Sequence, residues 1–141
     1  MGVLSSHLRE PDLFTETETE YLKSQRLARI GTASKDGVPD VAPVGFDFDG
    51  RYFYISGMDL ARTRKYRNVL KNPRVSLVVD DLKSVSPWHP RLIKVFGTAD
   101  LVTRNGYAGE KEYIRIDPQR KMSFGLDQND YADPKKKSRQ S

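Results

Sequence analysis

The residue types able to do chemistry crowd into one stretch, Gly57 to Arg74, which reads GMDLARTRKYRNVLKNPR. It sets Arg62, Arg64, Lys65, Arg67, Lys71 and Arg74 against one acid, Asp59. Asp59 or Thr63 can cap a helix here, because a short side-chain oxygen accepts from the free N–H groups of a first turn. Asn72-Pro73 ends it, since the residue before a proline is pushed out of the helical region. Arg62, Tyr66, Val69 and Leu70 recur at helical steps and predict a packed face, opposite Arg64, Lys65 and Lys71. A helix start with open N–H groups, a hydroxyl and several cations is an anion site. A solvated surface helix carries the same charges, so charge alone leaves both readings open.

Other chemistries find little material. The chain has no cysteine, which excludes disulfides, thiolate metal sites and a cysteine nucleophile. Its two histidines, His7 and His89, do not support a zinc site or a histidine-based triad. Neither a glycine-rich phosphate loop nor a G-x-S-x-G elbow is present. Asp80-Asp81 is the best carboxylate pair, and a turn or a salt bridge to Arg74 accounts for it better than catalysis does. His89, in Pro87-Trp88-His89-Pro90, reads as polar surface. Trp88 and Arg91 are a stronger pair: from a rigid loop they can cover a flat ring by stacking. Alternatively, Trp88 plugs one end of the fold.

An anion site with aromatics and no acid–base pair fits a redox domain whose cofactor does the chemistry. Two other classes stay open. One is a nucleic-acid-binding barrel with Tyr52 and Tyr54 as a stacking platform, although most cations lie in one helix and not along a groove. The other is a non-catalytic carrier of flavin or haem, the latter needing an axial ligand that only His7 or His89 could supply as imidazole.

Positioning these residues falls to short strands. Glu16–Gln25 reads as a helix after Thr15, with Tyr21 and Leu22 as anchors. Residues 26–33 read as a strand, and Asp36-Gly37 marks a hairpin turn. Residues 38–48 form the second strand, with Val44, Phe46 and Phe48 alternating toward one face. Pro39 and Pro43 each remove a ladder donor and place it at an edge or beside a bulge. Residues 51–56 return as the third strand of an antiparallel meander. Residues 74–82 and 91–101 give two more, with Gly97 as a bulge. Residues 83–90 are a loop, 103–109 a polar connection, and 112–116 and 119–126 two further short strands. The expected class is mainly β, a largely antiparallel, closed or partly closed barrel with two short helices.

The chain's 141 residues suffice for one domain, placed at 1–127. Residues 1–14 show no periodicity and read as an arm. Residues 128–141, with Lys135, Lys136 and Lys137, read as a basic disordered tail. The net charge of +5 suits a phosphate- or carboxylate-bearing partner without naming it. No apolar run reaches the length of a membrane span, and Met1–Asp12 lacks a signal-peptide core, so a cytoplasmic protein is expected.

Three segments also resemble a known family. P-x-x-x-P-V-G-F lies in Val38–Phe48, an aromatic strand spans Tyr52–Gly57, and T-R-K-x-R-N-V-x-x-N-P-R-V spans Thr63–Val75. Together they look like the pyridoxamine 5′-phosphate oxidase-like, split β-barrel, FMN-binding superfamily. Val78–Asp81, Ser84–Arg91, Val95–Ala99 and Ser123–Asp127 resemble its branch of probable enzymes of the deazaflavin coenzyme F420. The likeness spans about residues 16–127. It implies an oxidoreductase that transfers a hydride to or from a small organic substrate, with F420 preferred and FMN as the alternative. It implies a homodimer with two interfacial sites. Thr63, Arg64 and Lys65 would bind the cofactor phosphate. Pro43, Val44 and Gly45 would lie beside the tricyclic ring, with Ile55, Ser56 and Gly57 beneath the ribityl chain. Trp88 and Arg91 would approach from the partner subunit. The arginine- and histidine-bearing end of the true oxidases has no match here, which argues against pyridoxal phosphate synthesis.

Overall fold

Among the described residues, seven strands and two α-helices form in the order the turn residues dictate: α1 (Glu16–Ser24), β1 (Leu27–Ala33), β2 (Pro39–Gly45), β3 (Asp47–Phe48), β4 (Phe53–Ile55), α2 (Arg64–Lys71), β5 (Arg74–Ser84), β6 (His89–Gly106) and β7 (Gly109–Phe124). The structure, a computed structural model, describes residues 12–127. The expectations for residues 1–11 and for the tail 128–141 lie outside the described residues.

All pairings are antiparallel, and the sheet order is β2-β1-β5-β6-β7-β4-β3. The segment read as one strand, 38–48, is therefore two. Its first part pairs with β1 at one edge, and Asp47–Phe48 pairs with Tyr54–Phe53 at the other. Only Phe46 separates them, so the chain itself joins the two edges and the sheet curls into a barrel. Both turns of the expected meander are correct, and its middle strand belongs to both ends of the sheet.

Alternation turns Ile30, Leu77, Val79, Ile93, Val95, Phe53, Ile55, Ile114 and Ile116 inward, each 1% exposed or less. Each such side chain stabilises the fold by roughly 1.5–3 kcal/mol when fully buried. Leu22 of α1 is also fully buried and closes one side of the core. Thr15 begins α1 with a reciprocal capping box: its hydroxyl accepts from Glu18 N–H, and Glu18 accepts from Thr15 N–H. Phe14 is no part of a loose arm. It is buried edge-on against Phe48 and Phe53, at centroid distances of 5.3 and 5.9 Å.

The largest departure from the sequence reading is the β6–β7 hairpin. The expected polar connection at 103–109 is a two-residue turn between long strands, and 112–116 and 119–126 fall mostly in one strand. Pro118 does not end that strand, because it sits where the register shifts between Phe96 and Gly97. A bulge tolerates a residue that cannot donate. Gly97 is required there: an added Cβ would lie 2.1 Å from Asp117 O.

Candidate functional site

Helix α2 supplies the charge. Thr63, not Asp59, is its cap: the Thr63 hydroxyl accepts from Tyr66 N–H at 3.3 Å and donates to Leu60 O at 2.6 Å. The first N–H groups of a helix have no acceptor within it, so those of Arg64 and Lys65 remain open. The packed face differs from the expected one. Asn68 and Val69 are buried, whereas Leu70 is 58% exposed. Asn68 Nδ2 donates to the buried Thr32 Oγ1 at 2.9 Å, and Asn72 Nδ2 donates to Ser34 O at 3.2 Å. Two polar residues matched to β1 and its turn thus set the roll of the helix, and an apolar count cannot register them. Lys65, three residues before Asn68, lies at the start of this face and is half-buried.

Among the described residues five ion pairs form: Arg29–Asp80, Arg91–Asp81, Arg104–Asp47, Arg115–Asp100 and Lys121–Glu18. Arg62, Arg64, Lys65, Lys71 and Arg74 take part in none of them. Asp80 and Asp81, offered to Arg74 by the sequence, go instead to Arg29 and Arg91 across the sheet.

Two side chains that sequence reasoning passed over join the three candidate segments. Tyr107, in the β6–β7 turn, places its hydroxyl 2.9 Å from Gly45 O and 2.7 Å from Ser56 O, and accepts from Ser56 N–H at 2.8 Å. Burial raises its pKa, so the phenol stays protonated. Glu112 of β7 accepts from Tyr66 of α2 at 2.9 Å through Oε1, and from the Ser56 hydroxyl at 2.7 Å through its carbonyl. The ends of β2 and β4 and the first turn of α2 are thus one connected neighbourhood. Pro43 is exposed and Val44 buried in β2, and Ile55 and Ser56 are buried. An added Cβ at Gly57 would meet nothing within 4 Å, so the surface is open there. Only the tyrosine, an aromatic in an otherwise polar stretch, carried a signal in the sequence.

Trp88 and Arg91 do not join this neighbourhood within one chain. β5 leaves α2 at Arg74 and reaches the Trp88 turn only after Ser84, a contour of roughly 33 Å at strand rise. Trp88 is 63% exposed, so it plugs nothing. Arg91 Nε donates to Asp81 at 2.9 Å and its guanidinium lies 5.0 Å over the Tyr21 ring. The Arg91 hydrogen bond holds the Asp81 carboxyl below its usual range. Burial and then the Asp81 bond push the Tyr21 hydroxyl upward. Beside them is a surface pocket of about 270 Å³ lined by Tyr21, Ser24, Lys83, His89 and Leu126 among others. His89 lies 2.8 Å from Gly125 O. The expected tyrosine platform is also covered. Arg104 lies 3.8 Å over Tyr54, and Arg51 and Arg115 lie 5.0 and 4.9 Å from Tyr52, so these faces are not open to bases.

Known proteins resemble this chain in sequence and fold. The pyridoxamine 5′-phosphate oxidase family pattern matches residues 14–138. A 5a,11a-dehydrotetracycline/5a,11a-dehydrooxytetracycline reductase of Streptomyces rimosus is 37% identical over 120 residues, covering 81% of this chain and 84% of the relative. A conserved hypothetical protein of Mycobacterium tuberculosis superposes with a TM-score of 0.64 at 20% identity, over 84% of this chain and 89% of that one. An F420 reductase superposes with a TM-score of 0.62 at 22% identity, over 77% of this chain and 98% of that one. No helix among the described residues is long and apolar enough to cross a membrane.

Proposed function

The chain belongs to the pyridoxamine 5′-phosphate oxidase family, and from that membership we propose that it is a homodimeric reductase using a flavin-type cofactor, coenzyme F420 in preference to FMN. The observation that carries this reading is the set of cations on α2 and its flanks with no carboxylate partner among the described residues, beginning at open N–H groups beside the ends of β2 and β4. Open N–H groups and unneutralised cations are what a phosphate needs. The S. rimosus relative is named as a reductase of a small organic molecule, which favours reduction over carriage.

In this reading Arg64 and Lys65 hold the phosphate. Thr63 organises the turn, and its hydroxyl proton already goes to Leu60 O. Pro43, Val44 and Gly45 flank the ring, and Ile55, Ser56 and Gly57 underlie the ribityl chain. Trp88 and Arg91 of the partner subunit complete the site, since one chain holds them away from its own α2. When bound, such a cofactor supplies a hydride to an enone-, imine- or quinone-like acceptor. FMN ends at a dianionic monoester, which two or three cations satisfy. F420 continues as a diester into glutamates, and Arg62, Arg67, Lys71 and Arg74 supply cations beyond the compact set. The homodimer rests on the edge strand β2 and its entry, where Val38 and Val41 are 59% and 70% exposed. A monomer by sedimentation with full cofactor affinity would remove that part.

The deciding experiment titrates apo protein with FMN and F420 in parallel, at low and at physiological salt. F420 is expected to bind more tightly and to weaken steeply with salt, because exposed charge pairs are screened. Tight FMN binding with no F420 binding at either salt would overturn the cofactor choice. Binding of neither would overturn the reductase.

A further inference from the structure

We propose that Tyr107 is a positioning residue that bolts the β2 end of the site to the β4 end and so sets the seat of the cofactor ring. The inference rests on the functional reading above and assigns a role to a residue outside its binding set.

β2 and β4 share no ladder, as they stand far apart in the sheet order. Gly45 O and the Ser56 N–H and C=O therefore lack a strand partner on the side where the two ends meet. The Tyr107 hydroxyl lies within 2.9 Å of all three of these atoms. It accepts from Ser56 N–H and has one proton for the two carbonyls, so it does for these ends what a ladder bond does elsewhere. Gly45 fits the same contact: an added Cβ would stand 3.2 Å from Tyr107 Cε2.

The turn is built to hold this tyrosine. Asp47 Oδ2 accepts from Tyr107 N–H at 2.9 Å and from Arg104 Nη1 at 3.1 Å. The Tyr113 hydroxyl accepts from Ala108 N–H at 2.9 Å and donates to Gly109 O at 2.8 Å. The Tyr107 and Tyr113 rings meet edge-on at 5.8 Å. An added Cβ at Gly106 would fall within 3.0 Å of Arg104, Asp47 and Tyr113 side-chain atoms, so bulk there would displace the side chains that hold the turn. Such fixing of a two-residue turn exceeds what joining β6 to β7 requires.

Tyr107→Phe in the full chain removes the hydroxyl and keeps the ring. The expected result is a folded protein whose Ser56 amide exchanges hydrogen at least about tenfold faster. Its dissociation constant for F420, or for FMN if the wild type prefers it, should rise about tenfold, as for one lost hydrogen bond of about 1.4 kcal/mol. The absorbance band of the bound cofactor should shift as well, which a purely structural bond would not cause. Gly106→Ala, which keeps the hydroxyl but crowds the Arg104, Asp47 and Tyr113 side chains that hold the turn and touches no residue of the binding set, is the second variant and should also weaken cofactor binding. It decides the matter if Tyr107→Phe does not fold. Faster Ser56 exchange with unchanged cofactor affinity and spectrum would overturn the positioning role alone. A wild-type protein that binds neither cofactor would overturn the functional reading and this inference with it.

Discussion

The barrel wall and helix α2 treat positive charge in opposite ways. On the wall each of five cations meets a carboxylate across strands or from α1: Arg29 with Asp80, Arg91 with Asp81, Arg104 with Asp47, Arg115 with Asp100, and Lys121 with Glu18. On α2 and its flanks Arg62, Arg64, Lys65, Lys71 and Arg74 meet none among the described residues. Wall charges, Arg91 among them, each have a carboxylate within the fold, whereas those of α2 have none among the described residues. The difference separates cations paired within the fold from cations the fold leaves unpaired among the described residues, a division net charge cannot make.

Replacing both Arg64 and Lys65 by Ala should have the largest effect. Loss of two charge-assisted contacts predicts roughly hundredfold weaker cofactor binding, about tenfold for each. The melting temperature should stay nearly constant, because neither side chain bonds the fold. Titration by absorbance with parallel thermal melts checks this, and a large drop in melting temperature would erase the contrast between the two regions.

The converse change on the wall is Glu18→Gln. Glu18 is 5% exposed, and Lys121 depends on it. Burial alone would raise the Glu18 carboxyl, yet Lys121 and the Thr15 N–H prevail and hold it low. Glutamine preserves the capping box, so the loss isolates the ion pair. About 1–2 kcal/mol of stability should disappear, as expected for a charged hydrogen bond in a half-shielded site, with cofactor affinity unchanged. Denaturant unfolding reads the first quantity and titration the second.

Thr63→Ala tests the joint between the regions. It should cost about 1 kcal/mol through the lost cap, and Thr63→Ser should restore it. If the alanine variant binds cofactor normally while its helix loosens, the cap and the anion site are separable.

The smallest effect is at Asp81. Its folded pKa is depressed, first by Arg91, so its contribution is present above roughly pH 4 and is lost as pH falls through the lowered value. The pair is partly exposed, so its worth after solvent screening is under about 1 kcal/mol. The stability difference between wild type and Asp81→Asn should be constant from pH 7 to 5 and vanish toward pH 2. A difference that grows on acidification would contradict the assignment of that charge to the wall.

Local patterns were decided within the sequence. Thr15-x-x-Glu18 started α1, and Asn72-Pro73 stopped α2. Pro39 and Pro43 put β2 at an edge, and Gly97 marked a bulge. Each depends on neighbours a few residues away, through capping, missing donors or absent side chains. The family likeness was equally legible, because it lies in contiguous motifs. Partnerships over long separations were decided only by the tertiary structure. Asn68 turned inward because Thr32 was waiting for it, which rolled Leu70 out to solvent. Asp81 went to Arg91 because register 81↔91 set them side by side. Residues 38–48 split between two sheet edges because barrel closure asks one extended segment to serve both. Tyr107 acquired its role only when folding brought Gly45 and Ser56, more than fifty residues before it, to opposite sides of one hydroxyl. Sequence fixes the energies of near neighbours, whereas closing the sheet selects which distant polar groups must satisfy one another.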